Sequence, residues 1–483
     1  MERKIRWHDY ITINIYYFAI TARSQTLGLI VPLLVQAFVG EEVKGAALGN
    51  IRLWGLMTAL LFQALAGILS DRNTSRFGRR RPFILIGAIS EVIVFIVIGV
   101  IASTMEGMTG YWMLFAAYML SMLSSNTGHA AAQGLIPDLI PESKHGIFSG
   151  FKAFFELPAP LIFVSFVISK IVGNGQFWIG LLILSAVVVF CAAIAMFIPE
   201  KPIKQPPFEM NWKPITRLVA MTGVFTLIIL GAGKLVEWIN GLAGNLTEIS
   251  ALIATAAVGI FGMIVAVGLG VWASVRIGVG RKASKNNPSF TWWIINRLSF
   301  LVGSTNLSIF AVYFLQERFA NQAGVVVEEM YGMLMLFVGL AIFISSIPAG
   351  WLTDKFGKKP VCALSGVLAM AGTIIITTSP SVTMLYVGGV MIGIGVGFFF
   401  SASWALGTGL VPKEEAGRYL GIQNLAGAGA GAIGAYIGGP IGDGVGFTLL
   451  MSIFGFLFLV STLALFGIKD KIPESAGEAP AAG

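Results

Sequence analysis

The stretch GILSDRNTSRFGRRRPF, Gly67 to Phe83, places five arginines between two long apolar runs. An arginine at the centre of a lipid bilayer costs at least ~2.5 kcal/mol even on the most lenient scale. These arginines are therefore expected in water at a membrane surface, on the cytoplasmic side if the usual asymmetry of basic loops holds. The loop thus predicts that the apolar runs on either side of it are membrane spans.

A second copy of this arginine loop occurs later in the chain. GWLTDKFGKKP, Gly350 to Pro360, repeats the order Gly, Asp, basic residue, Phe, Gly, two basic residues and Pro, and the first copy has four extra residues after Asp71. PESKHGIFSG (Pro141 to Gly150) and PKEEAGRYLG (Pro412 to Gly421) form a second matching pair, with one Pro and two Gly at the same steps. Because two motifs recur in the same order, the sequence predicts an internal duplication.

These loops resemble the major facilitator superfamily, whose loop between helices 2 and 3 carries Gly-x-x-x-Asp-(Arg/Lys)-x-Gly-(Arg/Lys)-(Arg/Lys), with a weaker copy between helices 8 and 9. SDRNTSRFGRRRPFI is most similar to the plant sucrose/proton symporters and the glycoside-pentoside-hexuronide/cation symporter group. PLLVQ (Pro32 to Gln36), Trp54 and Gln63 also resemble that group's first two helices. The resemblance is close over roughly the first 90 residues, extends to both halves at superfamily level, and is absent from about 215 to 279.

The resemblance implies a secondary transporter, and no enzyme, in which two six-helix bundles rock about a central site. It also implies that the two loop motifs form a conformational latch. Asp71 would face the positive N-terminal end of a second-half helix, while Arg79 or Arg80 holds nearby acids. The latch residues are Gly67, Asp71, Arg72, Gly78, Arg79, Arg80, Gly350, Asp354, Lys355, Gly357 and Lys358.

Composition independently indicates a membrane protein. The 483 residues are 56% hydrophobic and 12% charged, and the mean hydropathy is +0.82. The net charge of +8 is spread over loops between apolar runs, so it is expected to set topology and not to bind nucleic acid. Cys191 and Cys362 lie inside apolar runs and predict neither a disulfide nor a metal site. We expect no cofactor and no catalytic residues, and a monomer.

The apolar runs predict an all-α polytopic protein with fourteen transmembrane helices. Spans 1 to 6 lie near 10–36, 49–69, 83–104, 110–135, 147–173 and 177–198, an extra pair near 215–236 and 248–278, and spans 7 to 12 near 291–316, 331–350, 361–379, 382–411, 417–440 and 444–468. The predicted units are an N-terminal bundle (1–198), a cytoplasmic linker (199–214), an inserted hairpin with a basic loop (215–290), a C-terminal bundle (291–470) and a flexible cytoplasmic tail (471–483).

The basic residues predict the orientation of the chain. Those in predicted outer loops are Lys44, Lys170, Lys234 and Arg318, and most of the others fall in loops on the opposite side. An inserted pair of helices, unlike a single helix, keeps the second basic motif on the same side as the first. This asymmetry predicts a multi-pass protein of the cell membrane with both termini in the cytoplasm.

Polar residues inside spans are candidate functional residues, because they are costly in lipid. In span 4, residues at three- and four-residue steps share one helix face: Tyr118, Met122, Asn126, His129 and Gln133. This face either lines a polar cavity or bonds to a packed neighbouring helix. In the sucrose symporters, span 4 carries an Asp and an Arg tied to proton and sugar binding. Here Ser121 or Met122 and Gln133 stand at those positions.

Span 1 has two polar faces that point in nearly opposite directions. One carries Asn14 and Gln25, with Thr21 and Gln36, and the other carries Tyr16 and Arg23. One face is expected to meet the cavity, while the other meets a neighbouring helix. The sequence leaves open which face does which.

Span 5 supplies Lys152 and Glu156, one turn apart, and Pro158 and Pro160 after them predict a break in the helix. The pair is either an ordinary ion pair or Glu156 is a protonatable group that couples transport to a proton or sodium gradient. Glu91 in span 3 has the same chemistry, but helix 3 is peripheral in the superfamily that the chain resembles. The candidates for ion coupling are Glu156, Lys152, His129, Arg23 and Glu91.

In the second half, Arg297, Ser304 and Ser308 share a face of span 7, and span 10 carries FFFSASW, where a ring can stack on a sugar. The candidate substrate-binding residues are Asn14, Gln25, Tyr118, Asn126, His129, Gln133, Arg297, Ser304 and Trp404. We expect a symporter of a sugar or glycoside, with a substrate site between spans 1, 4, 5, 7 and 10. The alternatives are a proton-coupled exporter of a drug or amphiphilic metabolite, and a non-transporting membrane sensor or scaffold.

Overall fold

The computed structural model describes residues 5–200, 212–242, 248–410 and 416–469, and within these ranges the chain is helical without β-strands. Helices satisfy their own backbone hydrogen bonds, as lipid requires. Spans 1 to 4 are α1 (Asp9–Thr12) with α2 (Ile15–Val39), α3 (Lys44–Asp71), α4 (Arg81–Thr104) and α5 (Gly107–Gln133). After α6 (Leu135–Leu139) and a 3-10 turn (Glu142–Lys144), span 5 comprises α7 (His145–Glu156), α8 (Pro158–Phe163), a π-helical turn (Val164–Ile168) and α9 (Ser169–Gly173).

Span 6 is α10, and the inserted hairpin and the second half follow it. Their helices are α10 (Phe177–Ala195), α11 (Trp212–Leu242), α12 (Glu248–Gly278), α13 (Arg281–Asn286), α14 (Pro288–Ile309), α15 (Ala311–Phe319), α16 (Val327–Phe356), α17 (Lys358–Thr378), α18 (Val382–Leu410), α19 (Ala416–Val445) and α20 (Phe447–Ala464), which ends in a 3-10 turn (Leu465–Gly467). The helices α14 and α15 together form span 7, and α16 to α20 form spans 8 to 12. Below, the end of the bundle with the arginine loop is called cytoplasmic, and the opposite end is called outer.

Eleven of the described helices are long and apolar enough to cross a membrane, or twelve if α14 and α15, bent by 54°, form one span. The other two predicted spans fall on α5 and α19, which have 27 and 30 residues. At ~1.5 Å per residue both helices exceed the ~30 Å of a bilayer core. The all-α polytopic prediction is confirmed, and the chain is an integral, multi-pass membrane protein. The count of fourteen spans stays a prediction.

Span 5 is broken where the sequence predicted a break. The helix α7 ends at Glu156, α8 begins at Pro158, and Leu157 between them has φ −120° and ψ −78°. A π-helical turn follows at Val164–Ile168. Proline removes a backbone donor and clashes with the preceding turn, which explains the break. Interrupted spans and π turns are frequent at functional sites.

The two halves meet along three pairs of spans. The helix α3 packs along α19, span 5 packs along α16, and α2 contacts α15. Span 5 and α16 approach closely, because Gly339 has no side chain, and a Cβ there would collide with Leu161. These contacts place spans 1, 2, 5, 7, 8 and 11 around the junction of the halves.

The inserted hairpin packs on the outside of this junction. Both of its helices contact α19, α11 also contacts α3, and α12 contacts α14. The hairpin buries one face, which includes Phe225, Met263 and Val271, and exposes large apolar side chains such as Leu227 and Phe261 on the other. The exposed apolar face is what lipid contact requires. The bounds of the predicted domains are not tested by these contacts and stay a prediction.

Candidate functional site

A cavity of about 250 Å³ lies at the junction of the two halves. The first half contributes Gln25 of α2, Leu157 at the break in span 5 and Leu161 in α8. The second half contributes residues of α14, α16 and α18. The cavity therefore lies where the interrupted span 5 meets the second half.

The wall of this cavity is polar on one side and apolar on the other. Its polar residues are Gln25, Ser304, Thr305 and Ser308, three of them on α14. The facing helices α16 and α18 contribute apolar side chains, namely Leu334, Met335, Val338, Ile342, Ile392, Val396 and Phe400. A ligand that fits must present hydrogen-bonding groups to α2 and α14 and an apolar surface to α16 and α18.

The lining includes only part of the residue set predicted from the sequence. Gln25 and Ser304 line the cavity, and Phe400 does so in place of Trp404, one turn along α18. Arg297 is 8% exposed, and its Nη1 lies 3.5 Å from the hydroxyl of Ser403. Arg297 therefore points among the second-half helices.

The polar helix face predicted on span 4 makes two separate sets of contacts. At the outer part, the Tyr118 hydroxyl accepts a hydrogen bond from Arg52 at 2.8 Å, and Asn126 donates to the backbone oxygen of Met122 at 2.8 Å. These contacts belong to packing within the first half. At the cytoplasmic part, the side chains of His129 and Gln133 lie 3.2 Å apart. None of the described cavity-lining residues comes from span 4.

Arg23 and Glu91 form a buried ion pair inside the first half. Arg23 Nε lies 2.8 Å from Glu91 Oε1, and both residues are less than a tenth exposed. Ser121 accepts from Arg23 at 2.5 Å and donates to Glu91. Of the two arrangements left open for span 1, the structure shows the one in which Gln25 meets the cavity and Arg23 meets a neighbouring carboxylate. Removing one partner of such a pair typically costs ~3–5 kcal/mol, because the other charge stays buried.

A second polar cluster, here called the vestibule cluster, comprises Tyr17, His129, Gln133, Lys152 and Glu156. Lys152 Nζ lies 3.5 Å from Glu156 and 4.7 Å from the centre of the Tyr17 ring, which meets His129 edge to face. The side chains of Lys152 and Glu156 are 30% and 41% exposed. The cluster therefore holds an accessible carboxylate directly before the cavity residue Leu157. Asn14 lies apart from it, buried, and donates to the backbone oxygen of Tyr10 at 3.0 Å.

At the outer end, a carboxylate of the second half binds a helix of the first. Asp443, near the end of α19, accepts hydrogen bonds from the backbone N–H groups of Gly45 and Ala46, both at 2.7 Å. These N–H groups have no partner within their own helix, because they lie in the first turn of α3. A Cβ at Gly45 would collide with the backbone oxygen of Gly439, so the two helices touch backbone to backbone.

Two further contacts between the halves close the same end. The Tyr313 hydroxyl donates to the backbone oxygen of Pro32 at 2.8 Å, which joins spans 7 and 1. The Ser165 hydroxyl donates to the backbone oxygen of Gly332 at 2.5 Å, which joins spans 5 and 8. The two halves are thus hydrogen-bonded to each other through three pairs of spans at this end.

At the cytoplasmic end, the arginine loop binds acids of its own half. Asp71 lies 2.6 Å from Arg79 and 2.5 Å from Arg80, and Arg80 also lies 2.9 Å from Asp138. Glu200 accepts from the backbone N–H groups of Arg80 and Arg81 at about 3 Å. The predicted partner of Asp71 is the N-terminal end of a second-half helix, and residues 411–415, which precede α19, lie outside the described residues. The latch therefore stays a prediction.

Sequence reasoning missed the contribution of span 8 and of Thr305. The substrate site was predicted between spans 1, 4, 5, 7 and 10, whereas the observed cavity has span 8 where span 4 was expected. The physical reason is the close approach of span 5 and span 8 at Gly332 and Gly339. Two glycines seven residues apart on one helix face are a signal of such an approach. The described residues contain no group of three or more His, Cys, Asp or Glu side chains that could hold a metal ion.

Comparison with known proteins identifies the family. A model of the Major Facilitator Superfamily matches residues 13–316 and 292–483. The chain is 29% identical over 205 residues to the multi-drug resistance efflux pump PmrA of Streptococcus pneumoniae, a match that covers 40% of this chain and 48% of the pump. It is 35% identical over 111 residues to the sucrose transport protein SUC3 of Arabidopsis thaliana, 18% of each chain. The chain thus spans less than half the length of these curated relatives.

The overall architecture is similar to that of a solved transporter. The nucleoside transporter NupG (D323A mutant) superposes with a TM-score of 0.65 at 12% identity, over 96% of this chain and all of that one. Since the family model covers nearly the whole chain, the protein belongs to the Major Facilitator Superfamily, as the loop motifs predicted. The relatives and the structural neighbour named here are transporters and pumps, in agreement with the expectation of a transporter and not an enzyme.

Proposed function

We propose that the protein is a secondary active transporter that moves a glycoside or small sugar by alternating access, in symport with a proton or sodium ion. The observation that carries this proposal is the two-sided cavity at the junction of the halves. The hydroxyls of a sugar would bond to Gln25, Ser304 and Thr305. The apolar face of the ring, or an apolar aglycone, would pack on α16 and α18.

Coupling is assigned to Glu156 in this proposal. Its carboxylate is accessible and lies at the break of span 5, beside the cavity residue Leu157. Glu91 is held by Arg23 and Ser121 inside the first half, so its charge is already compensated. Lys152, at 3.5 Å, competes with a coupling ion for Glu156, and a sodium ion or proton would take its place.

The first experiment is a binding screen of the purified protein against sugars and aryl glycosides, with and without sodium and across pH. The test of coupling is Glu156→Gln in reconstituted vesicles with the best ligand. We expect gradient-driven accumulation to disappear and energy-independent exchange to survive, because the neutral amide takes up no proton and lacks the negative charge that attracts a cation. The matched control is Glu106→Gln, which removes an exposed loop carboxylate. Accumulation that persists in Glu156→Gln would mean that the ion binds elsewhere or that none is used.

The second candidate is export of an amphiphilic drug or metabolite by proton antiport. It is favoured by the apolar side chains that make up most of the cavity wall. The two candidates differ in the direction of coupling. An inward sodium or proton gradient would drive accumulation of the substrate in symport and its expulsion in antiport, measured in vesicles of one orientation.

A further inference from the structure

Basic side chains collect at the cytoplasmic end of the inserted hairpin. Arg276 lies in the last turn of α12, and Arg281 and Lys285 lie in the short helix α13 that follows. Together with Ser284 these three residues line a pocket of about 270 Å³. The pocket is separate from the central cavity, and the described residues that line the two have no member in common.

Among the described residues, no acidic side chain pairs with Arg276, Arg281 or Lys285. The sequence contains no Asp or Glu from Ile249 to Gln316. Like charges held around one pocket repel each other, so an anion bound between them stabilises the arrangement.

A tryptophan one turn before Arg276 indicates the level of the pocket relative to the membrane. The Arg276 guanidinium lies 4.1 Å from the centre of the Trp272 ring, and Trp272 is 52% exposed. Exposed tryptophans of membrane proteins are enriched at the level of the lipid headgroups. The part of α12 that precedes Trp272 belongs to an apolar candidate span. The pocket therefore lies at the level where the lipid chains end and the phosphate groups begin.

We propose that this pocket binds the phosphate headgroup of an anionic phospholipid. Two guanidinium groups, one ammonium group and the Ser284 hydroxyl are donors suited to phosphate oxygens. Basic pockets between membrane helices on the cytoplasmic side recognise such headgroups. Because α12 contacts both α19 and α14, the bound lipid braces the inserted hairpin against the second half. The proposal is independent of the transported substrate.

The test uses the purified full-length protein in detergent and measures retained lipid by native mass spectrometry, and the melting temperature, with added phosphatidylglycerol or phosphatidylcholine. In the wild type we expect phosphatidylglycerol to be retained and to raise the melting temperature more than phosphatidylcholine does. The triple variant R276Q/R281Q/K285Q is expected to bind phosphatidylglycerol roughly tenfold or more weakly. The matched control is R6Q/K144Q/K469Q, which removes three exposed cations elsewhere at the cytoplasmic end.

Equal retention of phosphatidylglycerol by the wild type and the R276Q/R281Q/K285Q variant would overturn the proposal. So would an equal loss in both triple variants, since net charge alone would then explain the binding. Soluble glycerol phosphate forms a separate arm. If it displaces the lipid at equal concentration, the pocket recognises a free phosphate and not a membrane lipid. If the triple variant fails to fold, the single variant Lys285→Gln, on the exposed short helix, is measured in its place.

Discussion

The two ends of the helix pair α3 and α19 are held in different ways. At the outer end, Asp443 of α19 binds the first turn of α3, and the absence of a side chain at Gly45 lets the backbones touch. At the cytoplasmic end, Asp71 of α3 pairs with arginines of its own half. One helix pair is therefore locked across the halves at one end, while the carboxylate at the other end is bound within one half.

The two helices run in opposite directions. The end of α19 lies beside the beginning of α3, so Asp443 meets the positive N-terminus of α3 at the outer end. If Asp71 forms the predicted latch with the N-terminal end of a second-half helix, Asp443 closes the outer end in one state and Asp71 closes the cytoplasmic end in the other. The variants below test this relation, from the largest expected effect to the smallest.

Gly45→Leu is expected to separate α3 from α19 at the outer end. The new side chain meets the backbone of α19, which cannot move aside, and separating the helices also removes the Asp443 bonds. We expect the free energy of the state with the outer end closed to rise by at least about 3 kcal/mol relative to the open state. The readout is labelling of Ser308→Cys by an impermeant thiol reagent from the outer side, for which the native Cys191 and Cys362 are buried. Gly427→Leu is the control on the partner helix, because a Cβ at this position would meet no atom of the described residues within 4 Å.

Asp443→Asn is expected to weaken the same closure without steric collision. An amide oxygen accepts less strongly than a carboxylate, and a hydrogen bond to a charged group contributes ~1.5–3 kcal/mol. Outer labelling at position 308 should therefore rise by roughly ten- to a hundredfold. The matched control is Glu317→Gln, because Glu317 binds the first turn of α20 within the second half alone. If Glu317→Gln raises labelling as much as Asp443→Asn does, the outer contact is not a specific lock.

Asp71→Asn is expected to have the smallest effect and the opposite sign. Asp71 is 49% exposed, and ion pairs at such exposure contribute at most ~1 kcal/mol. Loss of the predicted latch should favour the state that is open to the cytoplasm and slow transport, while outer labelling does not rise. Transport and accessibility are measured in the same vesicles. Unchanged values for both would show that Asp71 has no part in closing the cytoplasmic end.

The sequence by itself determined which segments are helical and that they cross a membrane. Apolar runs of about twenty residues predict spans because lipid offers no hydrogen-bond partner to the backbone. The break of span 5 was also predictable, since Pro158 acts on the preceding turn of its own helix. The loop motifs identified the superfamily, because their residues lie close together in the chain.

Only the tertiary structure decided which polar residues meet each other and which meet the cavity. Periodicity assigns residues to helix faces but does not fix the rotation of a helix in the bundle, so Gln25 and Arg23 were equal candidates until Glu91 was placed beside Arg23. The contact between Asp443 and Gly45 joins residues 398 positions apart, and no local pattern signals it. A polar group in a span must find a partner, but packing alone determines whether that partner is a neighbouring helix or a ligand.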